Sequence, residues 1–251
     1  MFSVVLVVKN EAANIDRTLR ALDGLTDDVV VVDTGSTDDT VARARAAGAR
    51  VYREPWRGYI DTKNSANRHA RHDWILSLDA DEVVSPELAE TLRHLPLEPR
   101  TVYALDLITN FAGQWVRHSG WYPDWKRRLF PRELEWRGEL VHEYIHIPED
   151  YRVVRLAGKI YHYSYQTDAD HLARMESYAQ LTAEKLFRQG KRPNVFKQIF
   201  GPPARFVRTY FIKRGFLDGK LGLKLAWRNA VLVNRKYELL RWKWYGRKPN
   251  P

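Results

Sequence analysis

A chain of 251 residues can form one large domain, or one domain with an extension, and a 44% hydrophobic content supports a real core. The absence of cysteine excludes disulfides and thiolate metal sites, and it suits a reducing compartment. The net charge of +10 is uneven: residues 187–251 hold 17 Lys/Arg against 2 Asp/Glu, so the basic character belongs to the tail and the remainder is mildly acidic.

Residues 1–9 lack a basic leader region and a small-residue cleavage site. They predict a first core strand over residues 3–8 and not a signal peptide. No run of 18 apolar residues appears, so no spanning helix is expected. Lys9-Asn10-Glu11 closes the strand, and Ile15, Leu19 and Leu22 at helical spacing predict a helix over about 14–22. Val29–Val32 reads as a second buried strand. Asp33-Thr34-Gly35-Ser36-Thr37-Asp38 then forms a loop and caps a helix through Ala49. Val51-Tyr52 is a short third strand, and Ile75–Leu78 is a buried strand that ends in Asp79-Ala80-Asp81-Glu82.

Strands alternating with helices predict an α/β fold with a mainly parallel sheet flanked by helices. In such sheets ligands sit beyond the carboxyl ends of the strands. Asn10-Glu11, Asp33 and Asp79/Asp81 all fall at such ends. Two acids one residue apart can hold a hard divalent cation, Mg²⁺ or Mn²⁺, that is shared with substrate phosphates. Turn and cap chemistry is the plain alternative for Asp33 and Asp38, and a solvated helix face for Lys63. Neither a G-x-G-x-x-G nor a G-x-x-x-x-G-K-[ST] motif is present, which disfavours a dinucleotide site or a P-loop.

Four ordered motifs carry a resemblance. Val7-Val8-Lys9-Asn10-Glu11, residues 31–40 (VVDTGSTDDT), Lys63-Asn64 with Ala70 and Asp73-Trp74, and Leu78-Asp79-Ala80-Asp81-Glu82 resemble the inverting family 2 glycosyltransferases of GT-A, Rossmann-like fold. The family usually has Gly where this chain has Ala66. The resemblance covers roughly residues 2–90. It implies that residues 7–11, including Val7, Lys9, Asn10 and Glu11, border the nucleotide. It also implies that Asp33 bonds the uracil or ribose, that Lys63 and Asn64 line the nucleotide pocket, and that Asp79 and Asp81 serve ribose, metal and diphosphate.

Residues 101–107 read as a strand and 110–120 as a loop over the site. An inverting transfer needs one base for the acceptor hydroxyl. Asp124, before Arg128-Leu129-Phe130, resembles the family's base position, although Pro123 stands where Glu is usual. Glu143 is the second candidate. Trp136-x-Gly138 followed by Val141-His142-Glu143 resembles the lipopolysaccharide-core β-1,4-glucosyltransferases, and His142 is a third metal ligand, a diphosphate contact or a structural histidine. His162, in the strand-like run 160–165, is read chiefly as core packing.

Residues 1–165 are thus expected to form the catalytic domain and 166–251 a basic helical extension. The latter predicts a helix over 169–189, a second segment opened by Pro202-Pro203 and running through Leu217, and a third over 221–240. Apolar faces bordered by Lys/Arg fit helices lying in an anionic membrane interface, and a basic lid packed on the core is the alternative. Phe216-Leu217-Asp218-Gly219 resembles the end segment of the same lipopolysaccharide transferases. The leading expectation is a metal-dependent transferase moving a hexose, glucose first, from a UDP-sugar to a lipid-linked saccharide. Its place would be cytoplasmic, peripheral on the inner face of the cell membrane, with no nucleic acid as partner. A nucleic-acid-binding protein using the basic aromatic tail, or a nucleotidyltransferase, is the alternative.

Overall fold

β1 (Ser3–Val8) sits between two layers of apolar side chains. Val4, Leu6 and Val8 join one cluster, whereas Val5 joins the cluster on the other face. An unbroken Val/Leu run suits a strand covered on both sides, because neither face needs polar residues. The structure is a computed structural model that describes residues 1–139 and 142–246, and the side chains of Glu139 and His142 lie outside the described residues.

The chain forms two compact units, residues 1–107 with 124–163, and residues 108–123 with the rest of the chain from Ser164. In the first unit, β1 pairs in parallel with β2 (Val29–Asp33) and β4 (Trp74–Leu78), and β2 pairs in parallel with β3 (Arg50–Arg53). α1 (Ile15–Arg20), α2 (Thr40–Ala46) and α3 (Tyr59–Asn67) make the connections. β4 then pairs antiparallel with β8 (Asp124–Pro131), and β8 with β6 (Thr101–Phe111). β11 (Arg152–Tyr165) and β5 (Glu82–Val84) complete the sheet, with α4 (Pro86–Arg93) between β5 and β6. A hairpin of β9 (Trp136–Glu139) and β10 (His142–Ile145) stands apart. This is the expected α/β, GT-A-type fold: parallel strands deliver the Asp motifs, and antiparallel strands extend the sheet beyond β4.

Ser85 caps α4 by accepting from Leu88 N and also accepts from Lys159 N. At Gly158 (φ +89°) a Cβ would lie 2.3 Å from the Leu88 nitrogen, so only glycine lets β11 pass this helix start.

The second unit holds β7 (Gln114–Trp115), which pairs with the end of β6. The stretch read as a loop over 110–120 is therefore partly strand. β6 runs to Phe111 because its apolar pattern continues through Ile108 and Phe111. α5 (Asp168–Arg188) starts on a capping box made by Thr167 and Asp170, and α7 (Gly219–Tyr245) packs against both α5 and α6 (Val195–Val207). Pro202 and Pro203 lie inside α6 and do not open it. The start is set by Asn194, whose side chain accepts from Lys197 N at 2.9 Å. α6 has no buried residue, so the carbonyls that lose a donor to the prolines are not sealed from water.

Candidate active site

Register brings the polar strand ends together. Val8 pairs with Asp33 and Leu6 with Leu78, so residues 9–11, 33–38 and 79–81 leave adjacent strands at the same edge. Asn10 takes φ +56°, a left-handed conformation that Asn tolerates. Its side-chain oxygen accepts from Thr37 N at 2.8 Å, and its own N–H donates to Ser36 Oγ at 2.9 Å. Asp38 accepts from Ala12 N and from Thr40 N and Oγ1, so it does turn chemistry that ties the two loops. Asp33 is buried. Its Oδ1 accepts from Ser36 N at 3.0 Å, and Arg53 stands 3.8 Å from Oδ2. Val7 is half-buried, and Lys9 is exposed at the rim.

Asp79-Ala80-Asp81-Glu82 is a closed turn. Glu82 N donates to Asp79 O at 3.0 Å, and Asp79 N donates to Glu82 Oε2 at 3.1 Å. Thr18 Oγ1 donates to Ala80 O and Tyr163 N to Asp81 O, so helix α1 and strand β11 both fix the turn. Buried Arg128 of β8 bonds Asp79 Oδ2 at 2.9 Å and Glu82 Oε1 with the same nitrogen. Lys63 Nζ stands 3.9 Å from Asp79 Oδ1, and His162 Nε2 stands 3.3 Å from Asp81 Oδ2. His162, read above as core packing, thus belongs to the acidic turn.

Charge follows from these neighbours. Desolvation opposes ionisation of Asp79, but Arg128 and Lys63 outweigh it and hold the carboxyl well below the ordinary carboxylate range. Glu82 is pushed up, first by burial and then by the Asp79 charge, against the pull of Arg128. Burial lowers His162, but the bond to Asp81 and the acids around it raise it above its ordinary value. Asp79 keeps 43% of its side chain exposed, so it is only part-buried.

α3 carries Lys63 and Asn64 to the site. Asn64 pairs with the backbone of Trp136 in both directions, at 3.0 Å and 2.8 Å, which anchors β9 to α3. Lys63 lies 4.5 Å from the Trp136 ring centroid and bonds Glu143 Oε1 at 3.1 Å. Glu143 therefore stands beside the lysine that faces Asp79. Asp124 begins β8, whose antiparallel run against β4 puts it at the edge where Asp79 leaves the sheet. Its carboxylate stands 3.1 Å from Lys126 Nζ and is about one-third exposed. The His142 metal-ligand expectation falls on a side chain outside the described residues.

Asp79 and Asp81 offer oxygen donors of the kind a hard cation takes, completed by water and phosphate. Among the described residues no three acidic or imidazole side chains converge into a ready-made cage. The donor set thus fits a cation shared with a ligand. Nothing in the sequence pattern marks Arg128 and Glu82 as partners. Their contact spans 46 residues, and the only local signal was a third acid directly after Asp81.

In the second unit, Asp218 accepts from Arg117 N at 3.1 Å, His118 N at 3.0 Å and Ser119 Oγ at 3.1 Å, and His118 Nδ1 stands 3.0 Å away. The Phe216–Gly219 motif thus holds the 117–119 loop at the start of α7.

Residues 3–147 match the family model described as Glycosyl transferase family 2. Along its length the chain is 30% identical to an uncharacterized glycosyltransferase of Rickettsia bellii, over 86% of this chain and 78% of that protein. It is 28% identical to the lipopolysaccharide core biosynthesis glycosyltransferase LpsC of Rhizobium meliloti, over 94% of this chain and 93% of that protein. Among solved structures it is similar to glucosyl-3-phosphoglycerate synthase of Mycobacterium tuberculosis with Mn²⁺ and UDP-glucose, at 30% identity and TM-score 0.34, with 43% of each chain covered.

Proposed function

Given that the chain belongs to glycosyl transferase family 2, we propose that it is a metal-dependent, inverting enzyme that moves a hexose, glucose first, from a UDP-sugar to a lipid-linked saccharide of the lipopolysaccharide-core kind. The observation that carries this reading is the Asp79–Asp81 turn, flanked by Lys63 and set beside the Asn10 and Asp33 loops on one sheet edge. The likeness to LpsC over nearly the whole chain supports the acceptor class.

Val7, Lys9, Asn10, Glu11, Asp33, Lys63 and Asn64 line the donor, with the Asn10–Ser36 clasp holding the loops that meet the nucleotide. Asp79 and Asp81 hold Mg²⁺ or Mn²⁺, which when bound neutralises charge on the leaving diphosphate. The acceptor hydroxyl gives its proton to a carboxylate as its oxygen bonds the anomeric carbon, and the bond to the diphosphate oxygen breaks. Asp124 is the base. Glu143 is the other carboxylate at hand, but its bond to Lys63 supports a positioning role on the donor side. The basic charge of residues 187–251 supports a location on the cytoplasmic membrane surface. No helix among the described residues is long and apolar enough to cross a membrane.

Titration calorimetry with UDP and Mn²⁺ tests the donor site. Binding lost in Asp81→Ala is expected, and binding unaffected by that change refutes the metal–diphosphate assignment. A donor screen by UDP release across UDP-glucose, UDP-galactose and UDP-N-acetylglucosamine then identifies the sugar.

A further inference from the structure

Within the second unit, α5, α6 and α7 enclose an open cleft of about 700 Å³, in the range of small-molecule and lipid sites. Its walls are Tyr178, Phe196, Phe200, Ala204, Leu232 and Val233. Phe196 and Phe200 are strongly exposed and their rings stack, a costly arrangement for a surface that meets only water. Lys197, Arg205, Arg208 and Lys236 also line the cleft, and no Asp or Glu does. None of these four cations forms an ion pair among the described residues, whereas Arg228 and Arg235 of the same unit are each bound to carboxylates. Burial, then Arg205 and Lys197, push the Lys236 ammonium below its ordinary range. An anion would relieve that mutual repulsion.

The surroundings match an amphiphile. Val195 and Ile199 of α6, and Phe211 and Ile212 after it, are exposed apolar residues. Lys197, Arg205, Arg208, Lys213 and Arg214 stand among them along the chain. An apolar slot with a phosphate-ready rim, set in an apolar belt with a cationic border, has the chemistry of an interfacial lipid site.

We propose that this cleft binds one anionic phospholipid of the bilayer, an acyl chain against Phe196, Phe200 and Val233 and the phosphate on Arg205, Arg208, Lys197 and Lys236. The proposal rests on the reading that the second unit meets a membrane, and it adds a discrete site to that contact.

The test uses the full-length protein and dihexanoylphosphatidylglycerol kept below its micelle concentration. Wild type is expected to bind it saturably, and dihexanoylphosphatidylcholine about tenfold more weakly. Ala204→Trp, which fills the slot, and Arg205→Ser, at an exposed position, are each expected to weaken binding about tenfold with unchanged circular dichroism and thermal unfolding. No saturable binding by wild type, or binding indifferent to both substitutions, overturns the cleft. Sedimentation with phosphatidylcholine vesicles, with and without phosphatidylglycerol, separates the two claims. Wild type that pellets with the anionic vesicles but does not bind the monomeric lipid refutes the cleft and keeps the membrane contact. Binding of the monomeric lipid without pelleting upholds the cleft and refutes the contact.

Discussion

One guanidinium nitrogen of Arg128 bonds Asp79, at 2.9 Å, and also Glu82. The same cation therefore aims a part-buried carboxylate and neutralises a fully buried one. Removing it strips the buried Glu82 carboxyl of its counter-charge and leaves it, among the described residues, only the bond from Asp79 N. Arg128→Met is expected to destabilise the fold by about 3–5 kcal/mol, because an orphaned buried charge costs more than the pair contributes. Urea unfolding measures this, and a loss under about 1 kcal/mol would mean that Glu82 is neutral. The double change Arg128→Met with Glu82→Gln is expected to recover part of the loss.

His162 provides a pH signature. Its folded value is raised by Asp81, so its stabilising contribution is complete below the ordinary value of about 6.5 and is lost as pH rises through the raised value. NMR titration of the ring is expected to show a midpoint above 6.5 in the wild type and a lower one in Asp81→Asn. Identical midpoints in the two proteins would break the link between His162 and the acidic turn.

Asp28 titrates in the opposite sense. It precedes β2 and accepts from Ser3 Oγ, from Arg71 N at 2.8 Å, and from Arg50 Nε at 2.9 Å and Nη2. Burial opposes the charge, yet these donors depress the carboxyl. The stability it contributes is present above about 4 and is lost as pH falls through the depressed folded value. Asp28→Asn is expected to cost about 2–3 kcal/mol at neutral pH and to flatten the acid limb of the stability curve. An unchanged acid limb would assign acid unfolding to other carboxylates.

The strand ends were legible in the sequence because each apolar run stops at a polar cluster, and parallel pairing then brings such ends together. The α/β class and the convergence of Asn10, Asp33 and Asp79–Asp81 on one edge followed from that. What stayed hidden depends on distant contacts. Arg128 meets Glu82 across 46 residues and Lys63 meets Glu143 across 80, and periodicity carries no information at such separations. The prolines of α6 misplaced that helix start for a different reason. Proline usually marks a boundary, but here the Asn194 cap sets the start and the exposed helix tolerates two missing donors.

Asp218 is expected to act as a staple within the second unit. Its carboxylate gathers Arg117 N, His118 N and Ser119 Oγ, and its side chain is only 4% exposed. Asp218→Ala strands these donors, and a loss of about 2–4 kcal/mol is expected from charge-assisted bonds of this kind. Amide exchange of residues 117–119 should accelerate more than that of β1. Uniform acceleration in both units would instead indicate a global role.

Glu143 and Asp124 separate by kinetics. Glu143 holds Lys63, and Lys63 faces Asp79. Glu143→Gln keeps the size and loses the charge, so Lys63 shifts its attraction toward Asp79 and the donor diphosphate. The expected result is a change in KM for the UDP-sugar, with kcat reduced by about tenfold or less. Asp124→Asn is expected to leave UDP affinity unchanged and to cut kcat by about 10²–10⁴, the range of a lost general base. The outcome that reverses the assignment is a large kcat loss in Glu143→Gln beside a nearly active Asp124→Asn. Proton removal would then belong to the carboxylate that touches Lys63.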